Sequence, residues 1–476
     1  AYGPRELVSP SPDYPIFADR QRAVFSAWYE FFPRSVGAQY DPKTKAWTSG
    51  NFDSCAEMLE RVAAMGFDVV YLPPIHPIGT SFRKGRDNTL DANPNDPGSP
   101  WAIGSTDGGH DAIHPDLGDF AAFDRFVAKA RSLGMEVAID FALQCSPDHP
   151  WAKEHPQWFS KRADGTIAYA ENPPKKYQDI YPLNFDNDPE GLNAETLRIL
   201  RLWMSHGVRI FRVDNPHTKP VRFWAWLLSE VRQTDPDVLF LAEAFTKPEM
   251  MHALGKVGFH QSYTYFTWRE KKWELEEYLG ELSAETDSFY RPNFFVNTPD
   301  INPFFLQGGN PAAFAIRAIL AATMSPSWGV YSGFELFEHE PLRIGGEEYL
   351  HSEKYEYRPR SYNQPNLCEL LGKLNAIRRK HPALQQLRSI RFHHVPHDSV
   401  IAFSKSSGDD TVLVVCSLDP DNTPESEVYL NMEALGLAGG QCRLRDELTE
   451  ATFNWGERNF VRLAPATPAH ILTLLR

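Results

Sequence analysis

A chain of 476 residues with 13 % aromatic side chains can bury a large core and is expected to form two domains. Its formal net charge of −14 argues against a nucleic-acid backbone or an anionic membrane as the main partner. Any anionic ligand would then need a local cluster of basic residues.

The opening "AYGPRELVSPSPDYP" has neither the basic nor the apolar segment of a secretory signal, and its start at Ala1 rather than Met points to processing or to a piece of something longer. No apolar run approaches the ~20 residues that span a bilayer. The five cysteines (Cys55, Cys145, Cys368, Cys416 and Cys442) are scattered and lack CxxC spacing. That suits a reducing, cytoplasmic setting and argues against a disulfide framework or a zinc site.

Short apolar runs then alternate with helical patterns. Strands are predicted at 23–32, 67–75, 135–143, 208–214, 238–245, 259–266, 293–300 and 329–337. Helix-like stretches such as 54–66, 120–134 and 193–207 each end on glycine, a common helix stop. Eight strands with intervening helices imply a (β/α)8 TIM barrel over residues 1–385. Long loops rich in Gly, Pro, Asn and Asp interrupt it after the second and third strands, at about 76–119 and 146–192, and loops of that length are usually functional. From 386 to 476 the rhythm changes to short strands divided by polar turns, such as "VIAFSKS", "TVLVVCSL" and "HILTLL". This is expected to be a C-terminal antiparallel β-sandwich domain.

Within this frame, "GVRIFRVDNPHTKP" (207–220) places a cation and a carboxylate where a core strand should be apolar. Strand side chains alternate, so Arg212 and Asp214 face the same way. Barrel active sites lie at the C-terminal strand ends, and reading those ends yields Asp140, Asp214, Glu243 and Asp300. Each alone could be a cap or turn residue; four from different strands converging on one face are expected to form a site. Glu243, flanked by apolar residues in "LAEAF", should be held protonated, whereas Asp214 beside Arg212 should stay ionised. One neutral and one charged carboxyl suits glycoside chemistry. A metal site competes, but Arg212 would repel a cation and no His/Asp set has ligand spacing. No metal and no cofactor are expected.

"FRVDNPH", "FLAEAF" and "FFVNTPD" resemble the conserved regions of the α-amylase superfamily of retaining glycosidases and transglycosidases, over about residue 20 to the C-terminus. The resemblance implies that Asp214 is the nucleophile, Glu243 the acid/base and Asp300 a transition-state stabiliser, with Arg212 orienting Asp214 and Asp140 in support. Two positions depart from the superfamily's pattern. Gln144 and Cys145 stand where Asn-His is usual, and Pro299 stands where His precedes the last aspartate. The missing histidines normally bind hydroxyls of the reacting sugar, which argues against ordinary amylase action.

Those departures, with "SFRKGRDNTLDANPNDPGSPWAIG" and "ENPPKKYQDIYPLNF", resemble one bacterial subgroup, the α-1,4-glucan:maltose-1-phosphate maltosyltransferases. The resemblance implies an α-maltose 1-phosphate donor, a maltooligosaccharide or α-glucan acceptor, and donor contacts from Lys84, Gln144, Asp179, Asn215, Lys354 and Tyr355. Phosphate also needs cations and neutral donors. Lys84, Lys175, Tyr177, Asn172 and Ser99 are candidates from two loops, although a lysine in a polar loop can equally be a solvated one. His217 is expected to follow Asn215 into the site; Trp268 is open between stacking on an acceptor sugar and packing in the core. Members of the subgroup dimerise through an N-terminal β-sandwich and a helical insert to which nothing here corresponds, leaving the oligomeric state open. A hydrolase or phosphorylase would share every carboxylate, and a non-catalytic glucan-binding barrel would be expected to have lost one.

Overall fold

Eight strands form one parallel sheet that curls on itself in this computed structural model, which describes residues 16–172, 175–433, 435, 437 and 440–475. They are β1 (Ser26–Glu30), β2 (Val69–Leu72), β3 (Glu136–Phe141), β4 (Ile210–Asp214), β5 (Leu239–Glu243), β6 (Gln261–Ser262), β7 (Asn293–Phe295) and β8 (Ser327–Tyr331). Their order around the sheet is β6-β5-β4-β3-β2-β1-β8-β7. The ring closes between β6 and β7 through a single parallel bridge, Ser262 to Pro292. Beside it the Gln261 amide works as a fastener. Its Nε2 lies 3.1–3.2 Å from Arg22 O, Ala23 O, Ser26 Oγ and Ser327 Oγ, and its Oε1 accepts from Asn293 Nδ2 at 3.0 Å.

Alternation explains why these runs can be buried on both faces. Phe211 and Val213 of β4, with Phe240 and Ala242 of β5, point outward into the large core shared with the helices. Ile210, Leu239, Leu241, Trp28, Val69, Tyr71, Ala138 and Tyr263 fill the barrel interior. The helices keep an apolar face against the sheet. In α1 (Ala56–Ala64), Met58, Leu59 and Val62 are buried. α2 (Phe120–Ser132) begins where the Asp119 side chain accepts from Ala122 N–H, the usual N-cap contact, and α3 (Pro189–Ser205) is capped likewise by Asp188. Among the described residues no helix is long and apolar enough to cross a membrane.

The predicted sixth, seventh and eighth strands are longer than those found. β6 has two residues where 259–266 was expected to be extended, because the chain turns at Thr264 into a short 3-10 helix, Tyr265–Trp268. β7 stops at Phe295, ahead of the Thr298–Ile301 turn, and β8 stops at Tyr331, ahead of the 3-10 turn Phe334–Leu336.

After helix α4 (Cys368–Lys380) the chain enters the antiparallel region. Its strands are β9 (Arg391–Phe392), β10 (Val400–Ser407), β11 (Asp410–Ser417), β12 (Glu425–Tyr429), β13 (Cys442–Asp446), β14 (Thr452–Trp455), β15 (Arg458–Arg462) and β16 (Ala469–Leu474). Six form one sheet in the order β9-β10-β11-β16-β13-β14, while β12 and β15 pair separately. Val400, Val415 and Leu472 from the first meet Val428 and Val461 from the second in a common core, which makes the unit a sandwich.

Candidate active site

Three adjacent strands carry the central charges to one level of the barrel. Arg212 is in register with Asp140 of β3, and Asp214 is in register with Glu243 of β5. Arg212 is buried, so its charge requires partners. Its Nη1 donates at 2.8 Å to both Asp140 Oδ2 and Asp214 Oδ1, and its Nη2 lies 3.6 Å from Glu243 Oε1. The Tyr71 and Tyr263 rings lie 5.7 and 5.6 Å from the guanidinium. Asp140 Oδ2 also accepts from the Tyr71 hydroxyl (2.5 Å) and Trp101 Nε1 (3.2 Å).

The two facing carboxyls are driven apart. Burial alone would raise Asp214, but the charges of Arg212 and Lys219 and hydrogen bonds from Arg212 and Asn215 hold it below its ordinary value. Burial pushes Glu243 up to about 8 against the Arg212 charge, and the neighbouring Asp214 adds to the rise. Asn215 serves both. Its left-handed backbone (φ 43°) turns its N–H onto Glu243 Oε2 at 3.1 Å, while its side chain donates to Asp214 Oδ2 at 3.2 Å. Asn is among the residues that tolerate that conformation best. The arrangement suits a nucleophile beside a proton carrier.

Asp300 sits apart. It lies in the turn beyond β7, and its side chain, 49 % exposed, is paired with Lys354 Nζ. Lys354 lies 4.9 Å over the Trp101 ring and 5.9 Å from that of Tyr355. Lys84 is only 5 % exposed, and its charge acts on the buried Asp179 carboxyl, which burial raises and Lys84 and Lys354 lower. Asp179 Oδ1 has no hydrogen-bond partner among the described residues. Gln144 Nε2 donates to Trp101 O at 3.4 Å.

Ser99 is buried in the turn that ends at Ala102, and Tyr177 is half-buried in a hairpin strand, Lys175–Tyr177. The side chains of Asn172 and Lys175 lie outside the described residues. Half-buried His217 has an Nδ1 without a hydrogen-bond partner among the described residues. Trp268 is half-buried, edge-on to Phe245 at 5.1 Å, with Nε1 donating to Glu347 Oε1 at 2.5 Å.

Sequence reasoning missed two charged residues after the first apolar run. Glu30 ends β1 inside the barrel, and burial raises its carboxyl well above the usual range in spite of Arg212. Arg34, also buried, donates to Gly98 O (2.9 Å), Glu353 O (2.8 Å) and Lys354 O (3.0 Å). It thereby ties the loop after β2 to the loop after β8. The signal was present: "WYEFFPRS" sets two charges into an apolar run, as "FRVD" does.

Solved structures place the architecture among the α-amylases. A maltogenic α-amylase, AmyB, from Thermotoga neapolitana superposes with a TM-score of 0.73 at 20 % identity, covering 96 % of this chain and all of that one. An α-amylase from Geobacillus thermoleovorans complexed with acarbose gives 0.73 at 16 % identity, covering 97 % and 100 %. At such identities these neighbours share the fold. Residues 392–474 match the family described as "GLGE, C-terminal". The alpha-1,4-glucan:maltose-1-phosphate maltosyltransferase 1 of Streptomyces coelicolor is 59 % identical over 99 % of this chain and 70 % of its own length. That of Mycobacterium tuberculosis is 56 % identical over 99 % and 68 %. The chain belongs to the α-1,4-glucan:maltose-1-phosphate maltosyltransferase family.

Proposed function

We propose that this protein transfers maltosyl units, with retention, from α-maltose 1-phosphate to the non-reducing end of an α-1,4-glucan. The opposite displacement of Asp214 and Glu243 around one guanidinium carries the reading, and membership of the family supplies the donor and acceptor. In the first step an Asp214 oxygen attacks the anomeric carbon, the bond to the phosphate oxygen breaks, and Glu243 gives its proton to the departing phosphate. In the second, the Glu243 carboxylate takes the proton of the acceptor hydroxyl as that oxygen attacks the anomeric carbon and frees Asp214. Strand neighbours lie only about 4.8 Å apart. That favours the close carboxyl pair of a retaining enzyme over the wider pair that must admit water between them.

Around this pair, Asp300 stabilises the developing positive charge, with Lys354 fixing its carboxylate. Lys84, Asp179, Gln144, Asn215 and Tyr355 bind the donor; Ser99, Tyr177, Asn172 and Lys175 complete its phosphate side. Residues 1–385 form the catalytic unit and 386–476 the sandwich appended to it. The test is incubation with α-maltose 1-phosphate and a maltooligosaccharide. Phosphate release coupled to product growth in steps of two glucose units is expected, whereas free maltose as the main product would overturn the proposal.

A further inference from the structure

Away from the catalytic pair, three side chains from two loops converge with donor atoms to spare. Asp87, from the loop after β2, and His351 and Glu356, from the loop after β8, bring one donor atom each within 4.8 Å of one another. Their other contacts orient them. Asp87 Oδ1 accepts the His351 backbone N–H at 2.8 Å, and Glu356 Oε2 accepts from Arg86 Nε at 2.8 Å. Glu356 is 8 % exposed, and its Oε1 has no hydrogen-bond partner among the described residues. A buried anionic oxygen in that state is costly.

His351 Nδ1 lies 3.5 Å from that Oε1 and 3.8 Å from Asp87 Oδ2. Both separations are long for charge-assisted hydrogen bonds. The shorter is close to the edge of a coordination tetrahedron, about 3.3 Å when metal–ligand bonds are about 2.0–2.1 Å, and the longer needs a small side-chain adjustment to reach it.

We propose that Asp87, His351 and Glu356 form a site for a zinc-class divalent ion, with solvent completing its coordination. One imidazole nitrogen and two carboxylates favour a borderline transition metal over magnesium or calcium, which prefer larger all-oxygen sets. The His351 side chain, 55 % exposed, provides the entry, while Arg86 holds Glu356 from behind as an outer partner. Asp87 and Asn88 line the same small pocket as Asp300, Lys354 and Tyr355. The Glu356 N–H also donates to Ser352 O, at the start of the turn that presents Lys354. An ion here would clip together the two loops that wall the proposed donor site.

The buried trio His110, Cys145 and His149 also brings donor atoms together, but its histidines are already satisfied. His110 Nε2 meets Ala142 O at 2.8 Å and its Nδ1 meets His149 Nε2 at 3.1 Å, while His149 Nδ1 accepts from Trp151 N–H.

The full chain, stripped with chelator, would be titrated with Zn²⁺ by calorimetry and with Co²⁺ by visible absorption. One ion per chain, a tetrahedral or five-coordinate Co²⁺ spectrum and a higher melting temperature are expected. His351→Asn keeps a residue that tolerates the left-handed backbone at 351 (φ 54°). It should weaken binding by about tenfold or more and remove the thermal shift. Metal-free transfer activity should be unchanged. No binding, binding indifferent to His351→Asn, or a thiolate charge-transfer band placing the ion at Cys145 would each overturn the proposal. The calorimetric, spectroscopic and melting readouts do not depend on the sugar donor.

Discussion

Asp214 and Asp300 are carboxylates proposed to serve one reaction, yet they are held in opposite ways. Asp214 ends a strand, is buried, and is fixed by register with Glu243 and by a guanidinium from its own strand. Asp300 lies in a turn, half in solvent, and its ionic partner comes from a loop 54 residues further along. The barrel floor is thus set by strand geometry and its rim by contacts between loops. Trp101 joins them, with Nε1 on Asp140 and its ring beneath Lys354. Charges on the floor should therefore act as a unit, whereas those on the rim should be separable one at a time.

The hardest way to break the floor is Asp214→Ala. Removing the proposed nucleophile should lower kcat by about four orders of magnitude or more, read as phosphate release, with a cooperative melt retained. Glu243→Gln should cost about 10²–10⁴-fold, because it removes the proposed proton carrier but leaves Asp214 in place. A fluorinated donor should then trap a glycosyl adduct on Asp214, detectable by mass spectrometry.

Stability sharpens the contrast. Arg212→Met would leave buried carboxylates without their cation and should destabilise the fold by about 3–5 kcal/mol. Lys354→Met, which breaks the partly solvated rim pair, should cost less than about 1 kcal/mol. Denaturant unfolding of the two variants measures the difference. On the rim, Lys84→Ala should lower kcat/KM for maltose 1-phosphate by about ten- to a hundredfold, while maltosyl fluoride is affected much less. Equal loss with both donors would make Lys84 a support for its loop.

The pH profile separates floor from rim as well. Glu243 titrates at about 8, so its acid form is lost as pH rises through that value. With an aryl maltoside, whose leaving group needs a proton, kcat/KM should fall about tenfold per pH unit above this point. Asp214, held low, stays ionised down through the usual carboxylate range, so the acidic limb should lie below it. Lys354→Met should leave the basic limb in place.

The floor was legible in the sequence because it is local. Arg212 and Asp214 are two residues apart, and Asp140 and Glu243 each interrupt an apolar run. The barrel and the sandwich were legible for the same reason, through alternation. The strands β14 and β15, which lie in different sheets, were missed because "TFNWGERNFVR" mixes charge and apolar residues with many exposed positions. Arg34 could have been picked out as a charge beside an apolar run, but its role was not legible because its partners lie 64 and about 320 residues away, separations at which no spacing rule applies. The Asp87–His351–Glu356 cluster is invisible for the same reason, since its members come from the loop after β2 and the loop after β8.

The single bridge between β6 and β7 has a consequence for how the molecule breathes. Every other neighbouring pair around the ring has at least two register pairs, and β1 and β8, from opposite ends of the barrel sequence, have five. The weakest join therefore lies between strands adjacent in the chain, where one glutamine amide does what a ladder does elsewhere. Amide deuterium uptake should start there, with the Ser262 N–H exchanging well before those of β4. The ring would open as a split washer, away from the strands that hold Arg212 and Asp214.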